Sequence, residues 1–509
     1  MGNRARHGKP DHGQAGSRAY GHAVVVGASM AGMLAARVLA DHFESVTLVE
    51  RDRLPEGPED RRGVPQGRHV HVLLMRGQLI LEQLFPGLVA ELCAAGAELM
   101  DLSADISIRG RQDWQLRFPS GITLIGCSRS LLEWGVRQRI ATHPGVSIMA
   151  VTTATGLVQE AGGRAITGVR VRRDPTHTEG SAPEEQLEAD LVVDATGRGS
   201  RAPQWLEALG FPRPPETVVD AFVGYASRIY RRENRDRDWK ALLSQANSPH
   251  FNRAGVLFPL EGDRWLVSLA GLGRDYPPTE ESGFLEFVRS LPVPAMYETI
   301  REAEPLSPIF GQRATENRVR HYERLSNWPD GLMVLGDAAC AFNPVFGQGI
   351  TTAALDAMLL DTCLGRQERR HRTAELTGLG ARFQKRLAKL NGAPWLLATS
   401  EDLRVRETVG ASATPRTRFM HRYLDQVTLL TTKRRSTART FMEVVSMIKA
   451  PQRSSDRASS SRRSLAWRPV AGRAPAPPKM AHRMRRASIH NPSGHDPRRR
   501  DRAPGTRSR

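Results

Sequence analysis

The chain has 509 residues, 40% of them hydrophobic, which is enough apolar material for one large or two modest domains with a sizeable core. Its net charge of +19 resembles that of a nucleic-acid binder, but residues 451–509 hold 16 Lys and Arg against 3 Asp and Glu, a net of +13 that leaves only +6 for the first 450 residues. Cys93, Cys127, Cys340 and Cys363 form no C-x-x-C pair and lie at no metal-ligand spacing from histidine, so reduced thiols in a cytoplasmic protein are expected and a metal cluster is not. Charges and glycines interrupt every stretch long enough to span a bilayer. The apolar segment after the basic N-terminus holds Gly27, Ser29 and Gly32 at a functional spacing, which argues against a signal peptide. Arg6 stands where a lipidated N-terminal glycine wants Ser or Thr.

Residues 1–20 are polar and rich in Gly, His and Arg, and read as a disordered leader. The apolar run from His22 to Val26 predicts a buried strand, Met30 to Ala40 a helix, and the β-branched run Ser45 to Glu50 a second strand. Strand, glycine turn, helix, strand is a βαβ unit and predicts a parallel sheet. A helix is expected over 130–140, and a hairpin turning at Gly162-Gly163 between 157–160 and 165–171. Residues 174–185 read as a surface loop, and Leu191 to Asp194 as another buried strand. From Asp220 to Leu272 the pattern shifts to strands over 222–230, 255–260 and 264–269, which predicts an antiparallel sheet in a second lobe. Gly331 to Leu335 returns to a buried parallel strand, a helix follows from Gly349, and 352–450 is mostly helical by composition.

The fold expected is α/β: a Rossmann-like domain with an inserted antiparallel-sheet lobe and a helical C-terminal part. The corresponding boundaries are a leader (1–20), the dinucleotide domain in two parts (21–205 and 326–365), the inserted lobe (206–325), the helical region (366–450) and a basic tail (451–509). The tail has no hydrophobic periodicity and reads as disordered. The abrupt change of composition after Ala450 fits a shifted reading frame better than a nucleic-acid arm, since Trp467 is its only aromatic.

Four motifs carry chemistry. The first is Gly27–Gly32 (GASMAG), where Gly27 permits the tight turn and Gly32 lets the helix pack closely on the sheet. The helix N-terminus then offers N–H groups and a positive dipole end to a pyrophosphate. Glu50 follows 18 residues later, near the spacing of a carboxylate that holds a ribose hydroxyl. Ser29 stands where the pattern wants glycine. Gly336-Asp337 comes next, at a strand end, where an aspartate can accept hydrogen bonds from sugar-like hydroxyls or simply cap a turn. The third is Pro344–Gly349 (PVFGQG), with Gly347 and Gly349 opening a helix toward a ligand, or forming an ordinary loop-to-helix junction. The last is the buried strand that ends in Ala195-Thr196-Gly197. Each lies at or just beyond an apolar strand, so all should converge at the carboxyl ends of one sheet.

Together these motifs resemble the single-Rossmann FAD-dependent monooxygenase superfamily, typified by the p-hydroxybenzoate hydroxylase fold. Arg61–His71 (RRGVPQGRHVH), Ser128–Glu133 (SRSLLE), Ala195–Arg201 (ATGRGSR) and Phe342–Gly347 (FNPVFG) are similar to the actinobacterial branch with flavin epoxidases of polyether biosynthesis. The resemblance runs from about His22 to Ala450. It implies that Gly27, Ser29, Gly32 and Glu50, with Arg51 beside it, hold the adenosine half of FAD. It implies that Arg62 and Arg129 neutralise the pyrophosphate, that Gly336 and Asp337 meet the ribityl chain and pyrophosphate, and that Pro344, Gly347 and Gly349 lie beside the isoalloxazine.

The activity so implied is a monooxygenase of secondary metabolism. NADPH or NADH, binding transiently or through a separate reductase, reduces FAD, and a flavin C4a-hydroperoxide delivers oxygen to a hydrophobic substrate by epoxidation or hydroxylation. No protein residue is singled out as catalytic, because the flavin carries the chemistry. Phe222, Phe258 and Leu269 are expected either to line the substrate lobe or to form its ordinary core. His69 and His71 would share one face of a strand near the flavin-side loop, as structural or cofactor-packing groups rather than catalysts. Cys340 reads as a small buried hydrophobe. A halogenase is disfavoured because there is no W-x-W-x-I-P segment. A prenyl-chain reductase shares the FAD motifs and is the alternative within flavoenzymes; nucleic-acid or anionic-surface binding by the tail is the alternative of another class.

Overall fold

A computed structural model describes residues 20–173, 183–233, 236–313, 315–370 and 375–449. Residues up to Pro451 group as one unit. The leader up to residue 19 and the basic tail lie outside the described residues.

Five parallel strands form the centre, in the order Leu332–Val334, Leu191–Asp194, Tyr20–Val26, Phe43–Val49, Val146–Met149. Their continuous Val/Leu character follows from burial on both faces; Ala23, Val24, Val25, Val192 and Val193 are fully buried. The first strand begins at Tyr20, one residue inside the stretch expected as leader. The helix Met30–Leu39 packs on this sheet through Met33, Leu34, Ala35 and Ala36, and the helix Gly349–Arg370 runs beside it through Ala354, Ala357 and Leu360. Small side chains on both helices allow that close approach. As the βαβ reading requires, Gly27, Glu50, Ala195 and Gly336 all follow the C-terminal ends of these strands.

The hairpin Thr152–Gln159 and Ile166–Arg173 forms as expected. The surface-loop reading of 174–185 needs correction at its end. Residues 174–182 lie outside the described residues, but Glu184–Glu188 is a strand paired with Ile166–Arg173. Five residues of poor strand propensity are recruited because the hairpin offers an open edge and Leu187 packs on the main core.

The second lobe is a six-stranded sheet in the order Phe310–Gln312, Gly224–Arg231, Arg264–Gly271, Arg253–Leu260, Ala241–Ser244, Ile106–Arg109. The three expected strands pair antiparallel, as do the unforeseen Ala241–Ser244 and Phe310–Gln312; the last strand pairs parallel with Ala241–Ser244 and comes from far upstream, so the sheet is mixed. One face is sealed by the helices Glu281–Arg289 and Pro294–Ile300, which bury Trp265, Val267 and Leu269 against Phe284, Phe287 and Met296. Period-two alternation turns Tyr225, Ser227, Ser268 and Ala270 to the opposite face.

The C-terminal helices are Leu379–Asp402, Pro415–Thr431 and Arg435–Val445. Among the described residues no helix is long and apolar enough to cross a membrane.

Candidate functional site

At both ends of the glycine loop the backbone leaves no room for a Cβ. Gly27 has φ +98°, and a Cβ there would lie 2.8 Å from the Ala195 carbonyl oxygen. A Cβ on Gly32 would lie 1.8 Å from the Gly27 carbonyl oxygen. Ser29, the departure from the glycine pattern, is the N-cap of Met30–Leu39 in an extended conformation (φ −88°) that any residue adopts. Its side chain caps nothing; its hydroxyl accepts from Arg129 Nη2 at 3.1 Å.

Glu50 is 5% exposed and holds the loop itself. Its Oε2 accepts from the Ala28 amide (2.9 Å) and lies 3.2 Å from Arg61 Nη1, while Oε1 accepts from the Asp52 amide (3.0 Å). A carboxylate has about four acceptor positions, so capacity remains for a ribose hydroxyl.

Of the consecutive arginines Arg61 and Arg62, the one drawn inward is Arg61. Its Nε donates to Glu133 Oε1 (2.6 Å), Nη1 to Asp52 Oδ2 (2.9 Å) and Nη2 to the Ala28 carbonyl (3.2 Å). Arg62 and Arg51 are both exposed. Arg129 does reach the loop. It is 6% exposed, its Nη2 pairs with Glu133 Oε2 at 2.7 Å and with Ser29, and its Nη1 is buried with no partner. Burial pulls the Arg129 guanidinium down from its usual value, and Glu133 opposes the shift. A guanidinium stays charged through such a shift. Arg61 and Arg129 also line a small, solvent-open cleft with Asp60, Val64, Gly67 and Ser130. Glu133 and Arg61 were not foreseen as partners, since neither spacing nor residue type reveals which face of a loop turns inward.

On the opposite side of the loop, Gly336 has φ +62°, and a Cβ there would lie 2.8 Å from the Ala31 Cβ. Its amide donates to Asp356 Oδ2 at 3.0 Å. Asp337 is partly buried and its carboxylate accepts no hydrogen bond from the described residues; burial raises its carboxyl above the usual range, against Arg198 and Arg129. Pro344–Phe346 is one turn of 3-10 helix, capped by Asn343 Oδ1 accepting from the Val345 amide (3.2 Å). Gly347 ends that turn at φ +61°, with a Cβ position 3.0 Å from Val72 Cβ. Gly349 opens the long helix with no atom near its Cβ position. Gln348 Oε1 and Thr351 Oγ1 beside it are buried without partners among the described residues.

His69 and His71 lie between this loop and the second sheet, on an irregular segment after the turn Pro65–Arg68 and not on the strand expected, because this stretch pairs with no neighbouring strand. His69 Nδ1 is 2.8 Å from Ser227 Oγ, Ser227 meets Ser268 at 2.5 Å, and Ser268 accepts from the Val70 amide at 3.0 Å. If Ser268 donates to Ser227 and Ser227 to His69, both hydroxyl protons are used, and the neutral ring carries its proton on Nε2. Burial, assisted by Arg68, pushes His69 down to about 4; burial and Arg129 push His71 down to about 3. Both are neutral at physiological pH, in keeping with packing groups. The unfolded chain binds a proton at His69 below pH 6.5 and the folded one does not until about 4, so this stability is complete above pH 6.5 and is lost as pH falls through that window. We expect His69→Gln to flatten the acid decline by about 1.4 kcal/mol per pH unit in denaturant unfolding; equal slopes for both proteins would refute this.

The three candidate lining residues separate. Phe258 lies on the sheet face toward Val70 and Val72, on the site side. Leu269 is fully buried on the other face, packed with Phe284 and Met296, and is ordinary sheet core. Phe222 precedes its strand at φ +48°, with the Arg274 guanidinium 3.7 Å above its ring, so it packs a surface turn. Cys340 is buried with Phe342 and Ala398, as a small hydrophobe would be.

Residues 21–378 match the family described as FAD binding domain. The chain is 33% identical to Protein Rv3254 of Mycobacterium tuberculosis over 388 residues, covering 75% of this chain and 80% of that protein. It is 27% identical to kynurenine 3-monooxygenase of Salinispora tropica over 377 residues, covering 67% and 72%. Among solved structures, its fold is similar to p-nitrophenol 4-monooxygenase PnpA from Pseudomonas putida, with TM-score 0.58, 15% identity, and coverage of 82% of this chain and 96% of that one. It is also similar to PqsL, a probable FAD-dependent monooxygenase from Pseudomonas aeruginosa, with TM-score 0.56, 17% identity, and coverage of 76% and 97%.

Proposed function

Since the chain belongs to the FAD binding domain family of flavin-dependent monooxygenases, we propose that it takes electrons from NADPH or NADH and inserts one atom of O₂ into a hydrophobic organic substrate, by epoxidation or hydroxylation. The observation that carries this is the convergence of three features at the carboxyl ends of one parallel sheet. They are a glycine loop whose tight turn and close helix packing allow no Cβ at Gly27 or Gly32, the buried Nη1 of Arg129 without a partner among the described residues, and the Asp337 carboxylate with its acceptor capacity open. The three fit a dinucleotide cofactor: a cradle, a cation for its pyrophosphate and an acceptor for its hydroxyls.

FAD, when bound, supplies the two-electron reduction and the activation of oxygen. The protein's part is positional. Arg129 donates to a pyrophosphate oxygen beside the amides that open Met30–Leu39. Glu50 keeps the glycine loop in register and accepts from a ribose hydroxyl. Asp337 accepts from the sugar chain, and the first turn of Gly349–Arg370 offers unpaired amides to developing negative charge. Tyr225 and Phe258 present a largely apolar wall from the second sheet, and neutral His69 adds no charge to it. That wall suits a hydrophobic substrate and helps exclude water.

The test is an absorbance spectrum of the purified chain followed by anaerobic titration with NADPH and NADH. We expect a flavin spectrum that bleaches without O₂ and recovers in air. A colourless protein that added FAD does not restore would end the reading. With candidate alkenes or phenols, O₂-dependent gain of one oxygen supports a monooxygenase; loss of a double bond without O₂ consumption would identify a reductase instead.

A further inference from the structure

Asp402 is the last residue of the helix Leu379–Asp402, beyond the end of the family match at residue 378, yet its carboxylate lies beneath the loop that opens Gly349–Arg370. It is 2% exposed. Asn317 Nδ2 donates to its Oδ2 at 2.5 Å, and Asn343 Nδ2 donates to its Oδ1 at 3.2 Å. Asn317 Oδ1 in turn accepts from the Asn343 amide at 2.7 Å. Asn317 and Asn343 are both essentially fully buried.

The carboxylate has no donor to offer when ionised, so it dictates which way both amide groups face. With both NH₂ groups turned to Asp402, the Asn343 Oδ1 must face the other way, where it accepts from the Val345 amide at 3.2 Å and from the Tyr225 hydroxyl at 3.3 Å. The first of these caps the Pro344–Phe346 turn, and the second orients a hydroxyl on the wall of the second sheet. A buried carboxylate is costly, and burial pushes this one up to about 7 against the two asparagine donors. An apolar residue would avoid that cost but strand the two buried NH₂ groups of Asn317 and Asn343, so the carboxylate answers to those amides rather than to packing.

We propose that Asp402 is a positioning residue which, by fixing the amide orientation of Asn343, holds the Pro344–Gly349 turn in the conformation that faces the flavin. This rests on the reading of that turn as flavin-side. Asp402→Asn replaces an acceptor with a donor. Asn343 Nδ2 also lies 3.4 Å from Oδ2, so a lone amide oxygen there would keep only that long bond to Asn343 and set the new NH₂ against its NH₂; otherwise one neighbouring amide flips, leaving an NH₂ against the backbone amide of Asn343 or Val345.

The experiment compares the native chain, D402N, and the exchange N343D/D402N. In the exchange, the carboxylate at position 343 accepts from the Val345 amide, from Tyr225 and from the new amide at 402, while the amide oxygen at 402 accepts from Asn317. Every hydrogen bond of the triangle is restored with the carboxylate moved. We expect D402N to weaken FAD binding about tenfold or more by fluorescence titration and to shift the bound flavin's absorption maxima and reduction potential. The exchange should recover all three toward native values. If D402N does not fold, recovery of soluble holoprotein in the exchange supports the proposal. Native behaviour of D402N, or an exchange no better than D402N alone, overturns it. A native chain that fails to bind FAD would instead overturn the cofactor assignment, which is read on the native protein alone.

Discussion

Gly32→Ala is expected to yield a colourless protein. The added Cβ would lie 1.8 Å from the Gly27 carbonyl oxygen, which is backbone and cannot swing aside. Either the helix Met30–Leu39 lifts from the first strand or the Gly27 turn opens, and both destroy the cradle. The helix is buried along Met33, Leu34 and Ala35, so lifting it also strains the main core. Overpacking of this kind costs about 3 kcal/mol. Urea unfolding and flavin absorbance per mole of protein measure the two effects together. Gly349→Ala provides the contrast: its Cβ meets no protein atom, and alanine favours helix by about 1 kcal/mol over glycine. It should leave stability intact or raise it. A yellow, native-stable Gly32→Ala protein would refute the cradle.

The second large effect is at Arg129. Arg129→Met removes the guanidinium that reaches Ser29 and carries the unpartnered Nη1, and FAD affinity should fall at least about a hundredfold, as expected for losing a charge-assisted pair of hydrogen bonds in a buried setting. Stability should fall by about 3 kcal/mol, toward the low end for breaking a buried pair, because Arg61 still holds Glu133 at 2.6 Å. Arg129→Lys should not restore binding, since an ammonium cannot serve Ser29, Glu133 and a phosphate together in planar geometry. Arg62→Met, at an exposed position, should leave FAD affinity within about twofold. If Arg62→Met proved the more damaging in fluorescence titration, the inward role given to Arg61 and Arg129 would be wrong.

The arginine pair shows where sequence reading stops. That a basic residue of this segment should face the glycine loop was implied by the resemblance of Arg61–His71 to a family motif. Which of the two neighbours turns inward depends on Asp52, Glu133 and the Ala28 carbonyl, which meet Arg61 only after folding. The second sheet behaves in the same way. Phe258 and Leu269 sit on adjacent strands of one apolar sheet, and period two separates its faces without saying which face the helices Glu281–Arg289 and Pro294–Ile300 will cover. Asp402 gave no signal at all, because a single aspartate at a helix end is the commonest of surface residues until Asn317 and Asn343 are brought to it across 85 and 59 positions.

By itself, then, the sequence determined the parts whose physics is local. The strand, turn and helix around Gly27, the buried run before Gly336 and the helix from Gly349 are written in apolar periodicity and in glycines that only particular backbones require. Their order implied the parallel sheet and, with it, a cofactor at its carboxyl edge. Tertiary structure alone decided the rest: Arg61 inward and Arg62 outward, Leu269 in the core, Ile106–Arg109 completing a distant sheet, and Asp402 under the Pro344–Gly349 turn. Each of these depends on which partner covers which face, and burial between elements far apart in the chain leaves no periodic trace in either one.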